Sequence, residues 1–301
     1  QKSANMSVIS AVANAYMLLA ADQDMLQLSA KTLQLHTESY NLIKHRYETG
    51  ISSELALHQA QTLVEAARID LVTFTRNAAF DQNLLNLLVG QSIPAALLPS
   101  SLATAGKLRE IAAGLSSKVL LQRPDILQAE DILKAANANI GAARAAFFPR
   151  ITLTTGIGTL SSELSGLFKA GSGTWAFAPR LDLPIFDFEK RKANLDAALA
   201  EAGIAASQYE KAIQTAFREV ADALAATRTA DSLVKGQAAL LDASQKTYHL
   251  ASLRYQKGVD SYLPTLDAQR SLYAAESGMI SLQLARANAV VSLYKALGGG
   301  E

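Results

Sequence analysis

The segment RYQKGVDSYLPTLDAQ, Arg254–Gln269, has a near-copy far upstream, RYETGISSELALHQAQ, Arg46–Gln61. Aligned on Gly50 and Gly258, the two windows lie 208 positions apart and match without a gap. Arg, Tyr, Gly, the pairs Ser53/Ser261 and Leu55/Leu263, and the closing Ala-Gln are identical. The register continues outward, with Tyr40 against Tyr248, Val12-Ala13 against Val220-Ala221, and Val89-Gly90 against Leu297-Gly298. A gapless register ending in matched glycines reads as a tandem duplication, and a repeat constrains the fold before any local motif does.

Each copy reads as helix, tight turn, helix, terminal glycine. In the second copy the first helix is expected from about Asp187 to Gln256, roughly 100 Å at 1.5 Å per residue, and its partner from about Ser261 to Leu297, roughly 55 Å. Gly50 and Gly258 suit the left-handed residue that ends a helix, with Arg254 and Lys257 placed beside the C-terminal dipole. Ser52/Ser53 and Asp260/Ser261 offer N-cap oxygens to the returning helices, and Pro264 falls in a first turn, where a missing N–H costs little. The repeated turn is therefore a helical hairpin tip.

Between the copies, Gln91–Gln122 is interrupted by Pro94, Pro99, Gly106 and Gly114 and reads as a connecting segment with room for one short helix. QRPDILQAEDILKAANANIGAARAAFFPR then starts a helix with Pro124 early and Asp125 in the first turn, stopped by Pro149. The period next changes to two. Larger apolar residues alternate through Ile151–Gly158, and again as Trp175, Phe177, Pro179, Leu181, Leu183 and Ile185, around a Gly/Ser-rich loop at Ser161–Thr174. Strands of about ten residues can cross a bilayer when tilted, with Phe147, Phe148, Trp175 and Phe177 as interfacial aromatics. A soluble two-stranded pair with one greasy face fits the same pattern. A membrane-crossing pair needs further strands to close its edges. Under the 208-residue offset the first copy's strands fall before residue 1, so a strand pair is expected upstream.

The bulk properties narrow the function classes. Half of the 301 residues are hydrophobic but only 6% aromatic, a mixture that suits closely packed, alanine-rich helices. A net charge of +1 leaves no basic footprint for nucleic acid, and zero cysteines exclude disulfides and thiolate metal sites. No uninterrupted run of 18 apolar residues exists, which argues against a transmembrane helix. No signal peptide opens the sequence, which begins inside a helical pattern. His36, His45, His58 and His249 lack paired ligand spacing and read as helix-surface residues, so no metal site is expected. Gly156-x-Gly158 and Gly166–Gly171 complete neither a dinucleotide nor a phosphate loop. The acid pairs Glu130/Asp131 and Asp187/Glu189 read as solvated faces or caps. Neither an enzyme nor a cofactor is indicated.

LLQRPDI, ANANIGAARAAFFPRITLTTGIG, the Trp175–Ile185 strand, AFREVADAL and RY-x-x-G-x-x-S-x-L…LDAQRSLY together resemble the outer-membrane factors of tripartite efflux systems, the TolC-like channels. Within that family the sequence is most similar to the lipoprotein channels serving resistance-nodulation-division (RND) pumps. The resemblance implies a mainly α fold with a small β part: duplicated long antiparallel hairpins forming an α-barrel tunnel, plus a two-stranded segment of a shared transmembrane β-barrel in a homotrimer. It implies an outer-membrane location in a Gram-negative bacterium, with most of the chain periplasmic. It implies passive export of drugs or other toxic compounds, with a periplasmic adaptor (membrane fusion) protein and an inner-membrane RND pump as partners. The family's signal peptide, lipid-anchor cysteine and first strand pair are expected ahead of Gln1. On this reading the chain divides as a first hairpin (1–90), an equatorial linker (91–123), a leading helix (124–148), the strand pair (149–186), and a second hairpin with a C-terminal equatorial end (187–301).

Candidate functional residues follow. Asp260, Pro264 and Asp267 are spaced i, i+4, i+7, which would place them on one helical face, whereas the matching stripe of the first copy, Ser52, Ala56 and Gln59, is uncharged. The resemblance implies a gate of acidic residues on the second hairpin, which points to Asp267 and Asp260, with Pro264 where relatives often carry an acid. An acid repeated by threefold symmetry attracts cations, as a selectivity constriction does; otherwise Asp260 caps the helix and Asp267 is solvated. Arg46, Tyr47, Gly50, Arg254, Tyr255 and Gly258 would make contacts at the hairpin tips, either across hairpins or as dipole partners and interhelical packing. Trp175, Phe177, Leu181 and Leu183 would face lipid. A metal-ion channel on the same scaffold, or a coiled-coil structural or adhesion module with the strands as a flap, remain as alternatives.

Overall fold

The computed structural model describes residues 1–105, 117–187 and 189–299. Its elements are α1 (Lys2–Glu48), α2 (Glu54–Val89), α3 (Pro124–Ala145), β1 (Arg150–Thr159), β2 (Gly173–Asp182), α4 (Lys190–Gln256) and α5 (Leu263–Ala296). They fall into two compact units, one of residues 1–124 with 215–301 and one of residues 125–214.

The first unit holds the first helical hairpin and, of the second, α5 with α4 from residue 215 onward. Along α1 the positions Ala15, Leu19, Ser29, His36 and Ile43 are buried, spaced in steps of three and four residues or their sums. Along α2 Ala60, Val64, Ala67, Ala78, Asp81 and Leu85 are buried at the same kind of spacing. This is a coiled-coil seam, in which a narrow stripe repeating every 3.5 residues faces the partner helix. Ala15, Leu19, Ala78 and Leu85 form one core cluster, with Ile93 and Leu98 of the connecting segment packed on it. Six of the eleven corresponding positions of the second hairpin, Ala223, Ser244, Ala268, Ala275, Ala289 and Leu293, are buried too. Alanine and serine let the backbones approach closely, which is how a chain with so few aromatics builds a seam.

The tips repeat the same turn. Gly50 N–H donates to Tyr47 O and Ile51 N–H to Arg46 O; 208 positions on, Gly258 N–H donates to Tyr255 O and Val259 N–H to Arg254 O. Gly50 at φ 75° and Gly258 at φ 74° take the left-handed conformation this closure requires. The duplication seen in the sequence is thus a duplication of backbone geometry.

Several boundaries differ from expectation. α4 starts at Lys190 rather than about Asp187; Asp187 instead accepts from the backbone N–H of Arg191 and pairs with its Nε at 2.6 Å. α3 stops at Ala145, four residues before Pro149, in a short turn through Phe147 and Phe148. β2 ends at Asp182, so Leu183 and Ile185, read as strand positions, lie beyond it, where Pro184 interrupts the pattern. The connecting segment carries 3-10 turns at Ala95–Leu97 and Ser117–Gln122; Gly106 and Gly114 lie outside the described residues. His36 is buried rather than on the helix surface, whereas His45, His58 and His249 are exposed. One helix among those described, α1, contains an 18-residue window of mean hydropathy 1.4 that by length and composition alone could cross a membrane. Ala15, Met17, Leu19, Ala20 and Ala21 of α1 are buried within this unit, and 33% of the window as a whole is buried.

In the second unit, β1 and β2 pair antiparallel from Arg150↔Asp182 to Thr159↔Gly173. Directly paired residues share a face, so Ile151/Leu181, Leu153/Pro179, Thr155/Phe177 and Ile157/Trp175 lie together. Thr152/Arg180, Thr154/Ala178, Gly156/Ala176 and Gly158/Thr174 occupy the other side. One face is apolar, the other small and polar.

Candidate functional sites at the hairpin tips and the strand pair

At the tips the two copies meet in a single core. Ile43 and Leu63 of the first hairpin pack with Tyr262 and Leu266 of the second, and Tyr40, Leu57 and Tyr255 surround them. The Arg46 guanidinium lies 4.8 Å from the Tyr255 ring centroid, a cation–π contact that crosses from one copy to the other. Tyr255 and Tyr262 stack at 5.3 Å with planes tilted 60°. Tyr47 is exposed, so the equivalent tyrosines of the two tips occupy different environments.

Asp260 does not cap α5. The helix begins at Leu263, the residue before it makes no side-chain cap, and Asp260 sits in the turn. Its carboxylate instead takes two charge-assisted hydrogen bonds from Arg254, from Nε at 2.5 Å and Nη2 at 3.0 Å. Arg254 holds the Asp260 carboxyl below the ordinary carboxylate range. Asp260 therefore does not share a helical face with Pro264 and Asp267, as the i, i+4, i+7 spacing implied, because α5 starts three residues after it. Asp267 lies inside α5 and is exposed. In the first copy, by contrast, Ser53 does cap: its hydroxyl accepts from Ala56 N–H.

A polar lattice above the tips was not read from the sequence. Tyr262 Oη donates to Gln269 Oε1 at 3.2 Å, and Gln269 Nε2 reaches Ser39 Oγ and Tyr248 Oη, each at 3.5 Å. Tyr273 Oη donates to Asp70 Oδ2 at 2.8 Å, joining α5 to α2. Burial, first, pushes the hydroxyls of Tyr262 and Tyr273 up to about 12, so both remain protonated donors. The signal that could have found Tyr262 is a departure from the repeat, since the first copy has Glu54 at its position. At the other end of the second hairpin, the buried Arg123 guanidinium donates to Ala296 O at 2.8 Å and to Glu219 Oε2 at 2.7 Å, closing the C-terminal end of α5.

On the strand pair, Trp175 and Ile157 are 80% and 90% exposed, and Ile151, Leu153, Phe177 and Leu181 are exposed beside them. Leu183 is exposed as well but follows the strand. Moving one such side chain fully from water into an apolar medium is worth about 1.5–3 kcal/mol. Six on one face make a strong drive toward lipid or protein. Among the described residues the sheet has only these two strands, so each has an outer edge without a ladder partner. No group of three or more His, Cys, Asp or Glu placed to hold a metal ion occurs among the described residues.

Comparison with known proteins accords with this geometry. Residues 1–91 and 115–299 match a family described as outer membrane efflux protein. The toluene efflux pump outer membrane protein TtgC of Pseudomonas putida is 46% identical over 300 residues, which are 100% of this chain and 62% of that protein. The cation efflux system protein CusC of Escherichia coli is 43% identical over 302 residues, 100% of this chain and 66% of that protein. Among solved structures, the open state of the Neisseria gonorrhoeae MtrE outer membrane channel superposes with a TM-score of 0.85 at 42% identity, covering 99% of this chain and 67% of that one. The chain spans about 62% of the length of the first curated relatives it matches.

Proposed function

The chain belongs to the outer membrane efflux protein family, and we propose that it forms part of the wall of an outer-membrane efflux channel. In that channel the two hairpins line a periplasmic tunnel, and β1 and β2 contribute to a β-barrel completed by other strands and other copies in a homotrimer. The channel passes drugs or other toxic compounds outward without altering them, served by a periplasmic adaptor and an inner-membrane RND pump. Division into hairpin, linker, leading helix, strand pair and second hairpin follows that plan. Asp267, the exposed acid inside the first turns of α5, is the proposed gate and selectivity residue. Asp260 acts there through its pairing with Arg254.

The observation that carries this reading is the strand pair. Its apolar face is exposed, its opposite face is small and polar, and its edges await partners, as a lipid-facing barrel segment requires. Relatives of similar identity are named for toluene, solvent, antibiotic and cation efflux, so cargo is proposed to be chosen mainly by the pump. Trp175 supplies the test, in a variant of the full-length gene product where it is the only tryptophan. Reconstituted in vesicles containing brominated acyl chains, its fluorescence is expected to be quenched, while aqueous acrylamide leaves it largely unaffected. The reverse pattern would assign the strands to a soluble flap.

A further inference from the structure

The first hairpin carries two carboxyls where the second carries two alanines. Asp22 and Asp81 occupy seam positions of α1 and α2; 208 positions on stand Ala230 and Ala289, both buried. Asp81 is itself 9% exposed, and its Oδ2 is buried with no hydrogen-bond partner among the described residues. The side chain that reaches it across the seam is Asp22. Two ionised carboxylates are acceptors only and repel each other, whereas a single proton turns one into a donor and satisfies the orphaned oxygen. We propose that Asp22 and Asp81 hold one proton between them across the α1–α2 seam, and that its loss parts this level of the first hairpin while the second stays closed.

The described groups around the pair are engaged elsewhere. Burial, first, and then Asp22 push the Asp81 carboxyl up to about 6, and burial raises Asp22 as well; among the described residues the charged group acting on each is the other. On α1, Asp24 is engaged by Leu102 N–H at 2.9 Å. On α2, the Arg76 guanidinium lies over the Phe80 ring and bonds Asn77, and Asp70 accepts from Tyr273. On α5, the other helix packed against α1, Glu276 interacts with Lys31, and Arg286 pairs with Asp231 at 2.8 Å. A carboxyl raised in the folded state contributes stability that is present below its unfolded pKa and lost as pH rises through its folded one. For this pair the window runs from about pH 4 to about pH 6.

This pair also sits where the connecting segment is tied down. Gln27 Nε2 donates to Ser100 O, and Leu102 N–H donates to Asp24, so the proton controls the level of the hairpin that anchors the segment between the two copies. Hydrogen exchange on the full-length protein tests the proposal. Corrected for intrinsic rates, opening at 15–26 and 77–88 is expected to rise on the order of tenfold or more from about pH 4.5 to about pH 7.5. Segments 223–234 and 285–296 should stay flat. Asp81→Asn, or the pair Asp22→Ala with Asp81→Ala, is expected to abolish the difference. Infrared difference spectra give a second reading: a protonated-carboxyl band fading near pH 6, absent from Asp81→Asn and moved to lower pH in Asp22→Asn. Equal exchange in the two hairpins at both pH values, or a band unchanged by both substitutions, overturns the proposal.

Discussion

The two hairpins of this chain share one backbone plan and differ in what fills it. Their tips close with the same pair of hydrogen bonds at the same left-handed glycine. Yet the first hairpin caps its returning helix with Ser53, whereas the second leaves α5 uncapped and spends Asp260 on Arg254. The first seam holds Asp22, Asp81 and His36; the second has Ala230, Ala289 and Ser244 at those positions. Duplication thus preserved geometry, and the chemistry diverged at a handful of seam and tip positions.

The largest expected effect tests whether the tips are one core or two. Ile43 and Leu266, one from each hairpin, are almost fully buried in the same cluster. Ile43→Ala and Leu266→Ala should each cost about 3 kcal/mol, the usual range for a buried aliphatic truncation being about 2–5 kcal/mol. Residues in one cluster couple, so the double variant in denaturant unfolding should depart from additivity by at least about 0.5 kcal/mol. Strict additivity would separate the two tips.

Arg123→Met should follow, at about 2–3 kcal/mol, because it leaves Ala296 O and Glu219 without their donor at the buried end of α5. The effect belongs to the second hairpin alone. Exchange should rise at 293–299 and not at 85–90. A smaller and symmetrical cost is expected at the turns: Gly50→Val and Gly258→Val should each lose about 1–2 kcal/mol from the left-handed conformation. Neither glycine has anything within 4 Å of an added Cβ, so the two costs should match; unequal costs would mean the turns are not equivalent.

The smallest effect is a pH slope. Burial lowers the His36 pKa, so its contribution to stability is present above its unfolded pKa and lost as pH falls through the folded one. His36→Ser copies the second hairpin at that position and should flatten acid destabilisation below about pH 6.5. This slope is opposite in sign to that of the Asp22–Asp81 pair, so the two can be told apart in one titration of thermal unfolding.

What was legible in the sequence was whatever repeats or alternates. Gly50 and Gly258 announced both tips because only a left-handed residue closes that turn, and the alternation read at 151–158 and 175–185 announced the strands, although β2 ends at Asp182. Tip chemistry was less legible. The spacing of Asp260 and Asp267 assumed that α5 begins at the turn, but a competing partner, Arg254, draws Asp260 out of register. His36 was read as a surface residue because it lacks paired ligand spacing, yet the seam repeat buries it. The lattice of Tyr262, Gln269, Tyr273 and Asp70 joins residues up to 203 positions apart, a proximity that only the packed hairpins create.

The measurement that bears most directly on the central claim is conductance of the full-length protein in planar lipid bilayers, native and Asp267→Asn. The account predicts a pore that favours cations, with cation preference reduced in the variant and folding and insertion unchanged. A folded, membrane-inserted protein that conducts nothing, or one whose selectivity ignores Asp267, would contradict it.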